Sequence, residues 1–129
     1  PYLNSLTKAL NDNLDVLNLS IEGPTIIKLE KYLIKKILDS GTIVVAALGN
    51  NSRQVDENNK CTSFPACIDN RIISVGALDT TVRLTTFSNY AKTKNNAVYS
   101  LGQDVCIKNQ CMSGTSQATP VVTANIVRT

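Results

Sequence analysis

Apolar residues fall at two spacings along this chain, and the spacing changes segment by segment. Leu3, Leu6 and Leu10 recur at helical intervals until Asn11-Asp12-Asn13 breaks the run. Val16-Leu17-Asn18-Leu19-Ser20 then reads as a strand, closed by Gly23-Pro24. A second helix is predicted next. Thr25 is its expected N-cap, Ile26, Leu29, Leu33 and Ile37 form its inner stripe with Ile34 and Leu38 beside them, and Gly41 stands where a C-terminal cap belongs. Ile43 to Leu48 is an unbroken apolar run of strand length, the pattern of a central parallel strand covered on both faces. Asn51 to Asn59 is polar and loop-like. Ile72-Ile73-Ser74-Val75 is a further buried strand entering Gly76, and Ala97 to Leu101 is a weaker one. Ser116 to Val127 carries the small and apolar residues of a buried helix. This alternation, without internal repeat or linker, predicts one α/β domain of three layers, a largely parallel sheet flanked by helices.

Composition narrows the picture. A chain of 129 residues is at most one domain and long enough for a core. With 43% hydrophobic and 18% charged residues it reads as folded, not disordered. A net charge of +3 is too mild to argue for nucleic acid, and Lys28, Lys31, Lys35 and Lys36 are a solvated helix face. No apolar run approaches the ~20 residues of a membrane span. No signal peptide is visible, and the chain begins at Pro1, as a processed or trimmed product would.

Four cysteines permit three full pairings. With Lys108-Asn109 as a two-residue turn, Cys106 and Cys111 stand opposite each other in a hairpin, a geometry suited to a bridge. Cys61 and Cys67 bracket a short loop containing Phe64-Pro65. Pairings 61–67 and 106–111 are favoured, which implies a secreted or periplasmic protein. Four buried free thiols in a cytosolic protein are the alternative. Zinc is a poor reading without histidine or Cys-x-x-Cys spacing.

The chemistry concentrates in Ser113-Gly114-Thr115-Ser116-Gln117-Ala118-Thr119-Pro120. A serine at a helix N-terminus gains from the dipole and from free backbone amides, which can hold an oxyanion. Gly114 permits close backbone approach, and Pro120 in the first turn suits a helix start. Short Ser/Thr/Gly runs also simply cap helices. A serine hydroxyl becomes a good nucleophile only beside a base, usually imidazole, and this chain has no histidine.

Four segments, in order, give the chain its resemblance. They are Asp15 to Pro24, Val44-Val45-Ala46-Ala47-Leu48-Gly49-Asn50, Ile73-Ser74-Val75-Gly76-Ala77 with Thr86-Phe87-Ser88-Asn89-Tyr90, and the Ser113 to Pro120 stretch. Over residues 3 to 127 the chain resembles the C-terminal part of the catalytic domain of subtilisin-like serine proteases. The resemblance implies peptide-bond hydrolysis, with Ser116 as nucleophile, Asn50 as side-chain oxyanion donor and Thr115 supporting the same hole. Ser20, Ile21 and Glu22 would pair with an extended polypeptide substrate. Ala47, Leu48 and Gly49 would wall the pocket for the residue before the scissile bond, with the Cys61–Cys67 loop as its floor. Calcium is implied only as a frequent ligand of that family; no Asp/Glu cluster defines a site.

The chain departs from the pattern at several positions. The family's Asp and His motifs precede its nucleophile and are absent here, so residues 1–129 read as a partial domain whose missing N-terminal segment carries both. An Asp-Thr/Ser-Gly motif and a His-Gly-Thr motif encoded upstream would identify the parent as an enzyme. The alternative is a non-catalytic pseudo-protease or peptide-binding module. Glu22 stands where glycine is usual, which implies a preference for basic side chains at nearby substrate positions. Val121 replaces a frequent histidine and Gln117 a frequent methionine. Asn50-Asn51-Ser52 is a glycosylation sequon whose glycan would block the oxyanion hole. An exposed sheet edge on such a piece implies self-association.

Overall fold

The computed structural model describes residues 1–129. The first helix, α1 (Tyr2–Asp12), stops where Asn13 turns into the left-handed region at φ 52°, ψ 60°. Asparagine tolerates that conformation better than most residues, so Asn13 ends the helix as the sequence pattern predicts. The strand β1 (Val16–Leu19) follows directly.

The second helix, α2 (Lys28–Asp39), corrects two expectations. Thr25 is not its cap. The residue before the helix is Ile27, extended at φ −105°, ψ 155° and with no side-chain cap. Ile26 instead packs against the main core from the incoming segment, holding it out of the helix. The buried stripe is therefore Glu30, Leu33, Ile34, Ile37 and Leu38, while Leu29 is 51% exposed. A start two residues later than expected removes Ile26 from the helix and leaves Leu29 on its outer flank. Gly41 follows the C-cap at φ +95°, and the four lysines lie exposed, both as expected.

Four strands make a parallel sheet in the order β1-β2-β3-β4, with β2 (Ile43–Ala47), β3 (Ile73–Leu78) and β4 (Ala97–Leu101). The sheet is the middle of three layers. Leu6 and Ala9 of α1 and Leu33, Ile34 and Ile37 of α2 pack with Val44, Ala46 and Leu48 on one face. Val45, Val75 and Ala77 meet Ala118 of α3 (Thr115–Arg128) on the other. Alternation along β2 thus feeds two cores, which explains its unbroken apolar run. The strand β3 runs on through Gly76 to Leu78, beyond the expected end. A Cβ at Gly76 would strike the Tyr99 ring, so glycine here makes room for a side chain of the next strand.

The hairpin β5 (Val105–Ile107) and β6 (Gln110–Met112) places Cys106 opposite Cys111, and the bridges are Cys61–Cys67 and Cys106–Cys111. Helix α3 is buried only at its start, through Thr115, Ala118 and Thr119; Val127 is 69% exposed. Pro120 is its sixth residue rather than part of its first turn. With no N–H to donate, it leaves the Ser116 carbonyl without an intrahelical partner.

Two loops are locked by one carboxylate. Buried Asp56 accepts hydrogen bonds from the backbone amides of Lys92, Thr93 and Lys94, the Thr93 hydroxyl and the Gln54 side-chain amide. Burial alone would raise this carboxyl's pKa, but the donors outweigh it and hold it well below the usual carboxylate range. A depressed folded-state pKa stabilises the fold above the unfolded value. That contribution should be lost as pH falls below about 4. Acid titrations of the thermal midpoint should show this loss, and Asp56→Asn should flatten it while costing about 3 kcal/mol at neutral pH.

Candidate active site

The end of β2 meets the start of α3, and one residue joins them. The Thr115 amide donates to Asn50 Oδ1 at 2.9 Å, and the Gly49 amide donates to Thr115 Oγ1 at 3.1 Å. The first of these bonds holds the Asn50 side chain by its oxygen, so its Nδ2 donor is the end left over. Gly114 allows the approach. At φ +156°, a Cβ there would lie 2.8 Å from Gln117 Oε1 and 3.4 Å from Asn50 Nδ2. The Gly114 amide donates to the Gly102 carbonyl at 2.7 Å, which pins the turn from behind.

Ser116 lies in the first turn of α3, where its own amide is outside the helical ladder. Its hydroxyl donates to the Ser20 carbonyl at 2.8 Å. Ser20 leaves β1 on the segment that passes Ile21 and Glu22. That segment is held on its far side by Gly23 and Phe64, which exchange two backbone bonds of 2.9 Å. Ser116 also opens on a groove of about 270 Å³ lined by Val105, Ile107, Met112, Gln117 and Pro120.

The third wall is Gly49, at φ +103°. A Cβ there would lie 2.6 Å from Asn89 Nδ2, 2.6 Å from Glu22 Cδ and 2.7 Å from Glu22 Oε2, so the carboxylate and the amide already fill that space. Ala47 and Leu48 are both buried, and Leu48 belongs with its side chain to the main core. What Leu48 offers the site is its carbonyl, which accepts from Ser63 Oγ at 2.7 Å and Asn89 Nδ2 at 2.8 Å. Ser63 lies inside the Cys61–Cys67 loop, which docks that loop under residues 48 and 49.

The residues named from the sequence thus converge on one place: Ser116 on Ser20, Asn50 on Thr115, Gly49 on Thr115, and Glu22 against Gly49. Three organising residues were not among the site residues named from the sequence. Fully buried Asn89 accepts from the amides of Asn51 and Arg53 and donates to the Leu48 carbonyl, so it shapes the loop after Asn50. Ser63 is an ordinary serine in a short loop. Thr123 donates to Asn18 Oδ1 at 2.6 Å and ties α3 to β1. Asn89 could have been suspected only from its place in the Thr86 to Tyr90 segment.

No group of three or more His, Cys, Asp or Glu side chains is placed together to hold a metal ion. No helix is long and apolar enough to cross a membrane.

A family model described as the subtilase family matches residues 2–129. The chain belongs to the subtilase family. Its subtilase relatives include an intracellular serine protease of Paenibacillus polymyxa, 31% identical over 121 residues that cover 88% of this chain and 35% of that protein. Subtilisin DY of Bacillus licheniformis is 36% identical over 80 residues, 62% of this chain and 28% of that protein. The self-cleaved protease domain of PatA superposes with a TM-score of 0.81 at 24% identity, covering 95% of this chain and 47% of that one. The chain therefore spans about a third of these curated subtilases and under half of the solved domain.

Asn89→Ala would strand the amides of Asn51 and Arg53 and half of the Leu48 carbonyl's partners. Chemical denaturation should show a loss of about 3 kcal/mol. A shift within a few tenths of wild type would mean that the loop after Asn50 holds its shape by other means.

Proposed function

We propose that this chain is the nucleophile-bearing part of a serine endopeptidase acting on extended polypeptides. The parent protein's Asp and His come from a segment N-terminal to residues 1–129. The observation that carries the reading is the Thr115 clamp, which sets Asn50 and Ser116 at one helix start. In the reaction, imidazole takes the Ser116 hydroxyl proton while Oγ attacks the substrate carbonyl carbon. Asn50 Nδ2 and the Ser116 amide donate to the oxygen as it becomes an anion. Collapse expels the amine, which takes the proton from the imidazolium and leaves an ester on Ser116. Water, deprotonated by the same imidazole, then releases the acid. Ser20, Ile21 and Glu22 supply the backbone that an extended substrate pairs with.

Within these 129 residues the Ser116 hydroxyl has a carbonyl as its partner, and a carbonyl is no base. The isolated chain is therefore inactive in this reading. Losing a triad member leaves only about 10³- to 10⁴-fold over water, from the oxyanion hole and binding. The two disulfides favour an oxidising compartment. The apolar groove of Leu14, Val16, Ile43, Ile126 and Val127 beside the edge strand β1 favours self-association of the isolated chain.

The absence of histidine also favours a second reading, a peptide-binding relative without turnover. A fluorophosphonate probe separates the two. The parent protein should be labelled on Ser116 and lose labelling in Ser116→Ala, and the 129-residue chain should stay unlabelled. Asn50→Ala in the parent should lower kcat by about 10²- to 10³-fold. A parent protein that neither labels nor cleaves would establish the binding reading instead.

A further inference from the structure

The side chain of Glu22 is where this chain parts from a plain cleft, and its surroundings are unusual for a carboxylate. It is half-buried, turned inward against the Cα of Gly49. Its hydrogen-bond contact is Ser63 Oγ, 3.3 Å from Oε1. That hydroxyl has a single proton and a closer acceptor, the Leu48 carbonyl at 2.7 Å. The Asn89 amide beside it is committed to Leu48 and Asn51. No cation answers the charge, because the ion pairs of the chain join only Lys8 with Asp12 and Arg71 with Asp39 and Asp69. Arg53, which docks on the same disulfide loop, spends its guanidinium on Thr62. A carboxylate drawn partly out of water, without a committed donor or counter-ion, is an electrostatic vacancy that a mobile cation fills favourably.

Its location says which cation. Glu22 follows by two residues the Ser20 carbonyl that holds the Ser116 hydroxyl, and it touches Gly49, which precedes Asn50. A side chain entering between the 20–22 and 48–49 segments therefore belongs to the residue whose carbonyl is presented to Ser116. We propose that the Glu22 carboxylate, with Gly49 behind it and Ser63 beside it, receives the ammonium or guanidinium of a lysine or arginine immediately before the cleaved bond. This rests on the protease reading above and adds its substrate class: polypeptides cut after a basic residue. The glycine at 49 makes the receptor possible, since any Cβ there would displace the carboxylate.

Two measurements test this. In the parent protein, kcat/KM is compared for peptides that differ only in lysine, arginine or the neutral isostere norleucine before the cleaved bond. Lysine and arginine should exceed norleucine by about 10- to 100-fold, and Glu22→Gln and Glu22→Gly should each collapse that ratio to within about threefold. A basic preference that survives both substitutions, or no preference in the wild type, overturns the proposal. In the parent protein, agmatine should shift the amide resonances of Gly49 and Ser63, and Glu22→Gln should abolish those shifts. Cleavage by the parent without any agmatine response at these amides defeats the receptor and leaves the protease reading intact. An agmatine response in a parent that cleaves no peptide defeats the protease reading and leaves Glu22 as a cation-binding site.

Discussion

The hydrogen bonds that Thr115 makes to residues 49 and 50 are the constraint on which the site depends. They join the carboxyl end of a central strand to the amino end of a helix on one face of the sheet, residues 65 or more apart in sequence. Backbone and side chain of a single residue are both used, so the strand end and the helix start cannot slide independently. Threonine suits the position because it is fully enclosed, its hydroxyl has an amide to accept from, and Thr119 returns a bond to its carbonyl at 2.6 Å. Asn50 is oriented by this contact and not by its own loop, which explains how an exposed asparagine can have a defined direction.

Much of the fold was legible because periodicity and turn chemistry agreed. The apolar run at Val44 to Leu48, the breaks at Asn13 and Gly41, and the cysteine spacing each point to the element found. The errors at α2 have one origin. Helical spacing alone cannot fix where a helix begins, and Ile26, the first position of the apolar stripe, is a core contact made from the segment before the helix. The final helix is buried only as far as Thr119, because small apolar residues suit a half-exposed face as well as a closed one.

The chemistry was legible as sequence motifs, and the support for it was not. Ser116, Asn50 and Thr115 stand in a recognisable order. Asn89, Ser63 and Asn18 act through long-range hydrogen bonds whose partners lie 15 to 105 residues away. Nothing local in a sequence marks such a residue. Glu22 lies between the two cases, since its departure from glycine was visible while its contact with Gly49 required the folded chain.

Pro120 has a consequence for the geometry of the helix that bears the serine. Because it withholds a donor from the carbonyl four residues earlier, the opening turn of α3 is released from one rung of the coil that follows. The serine's orientation is thereby governed by the sheet beneath it, through Thr115 and Ser20, more than by the rod it begins. Fraying or bending of the half-exposed remainder of α3 can then be absorbed at this joint without dragging the hydroxyl off its aim.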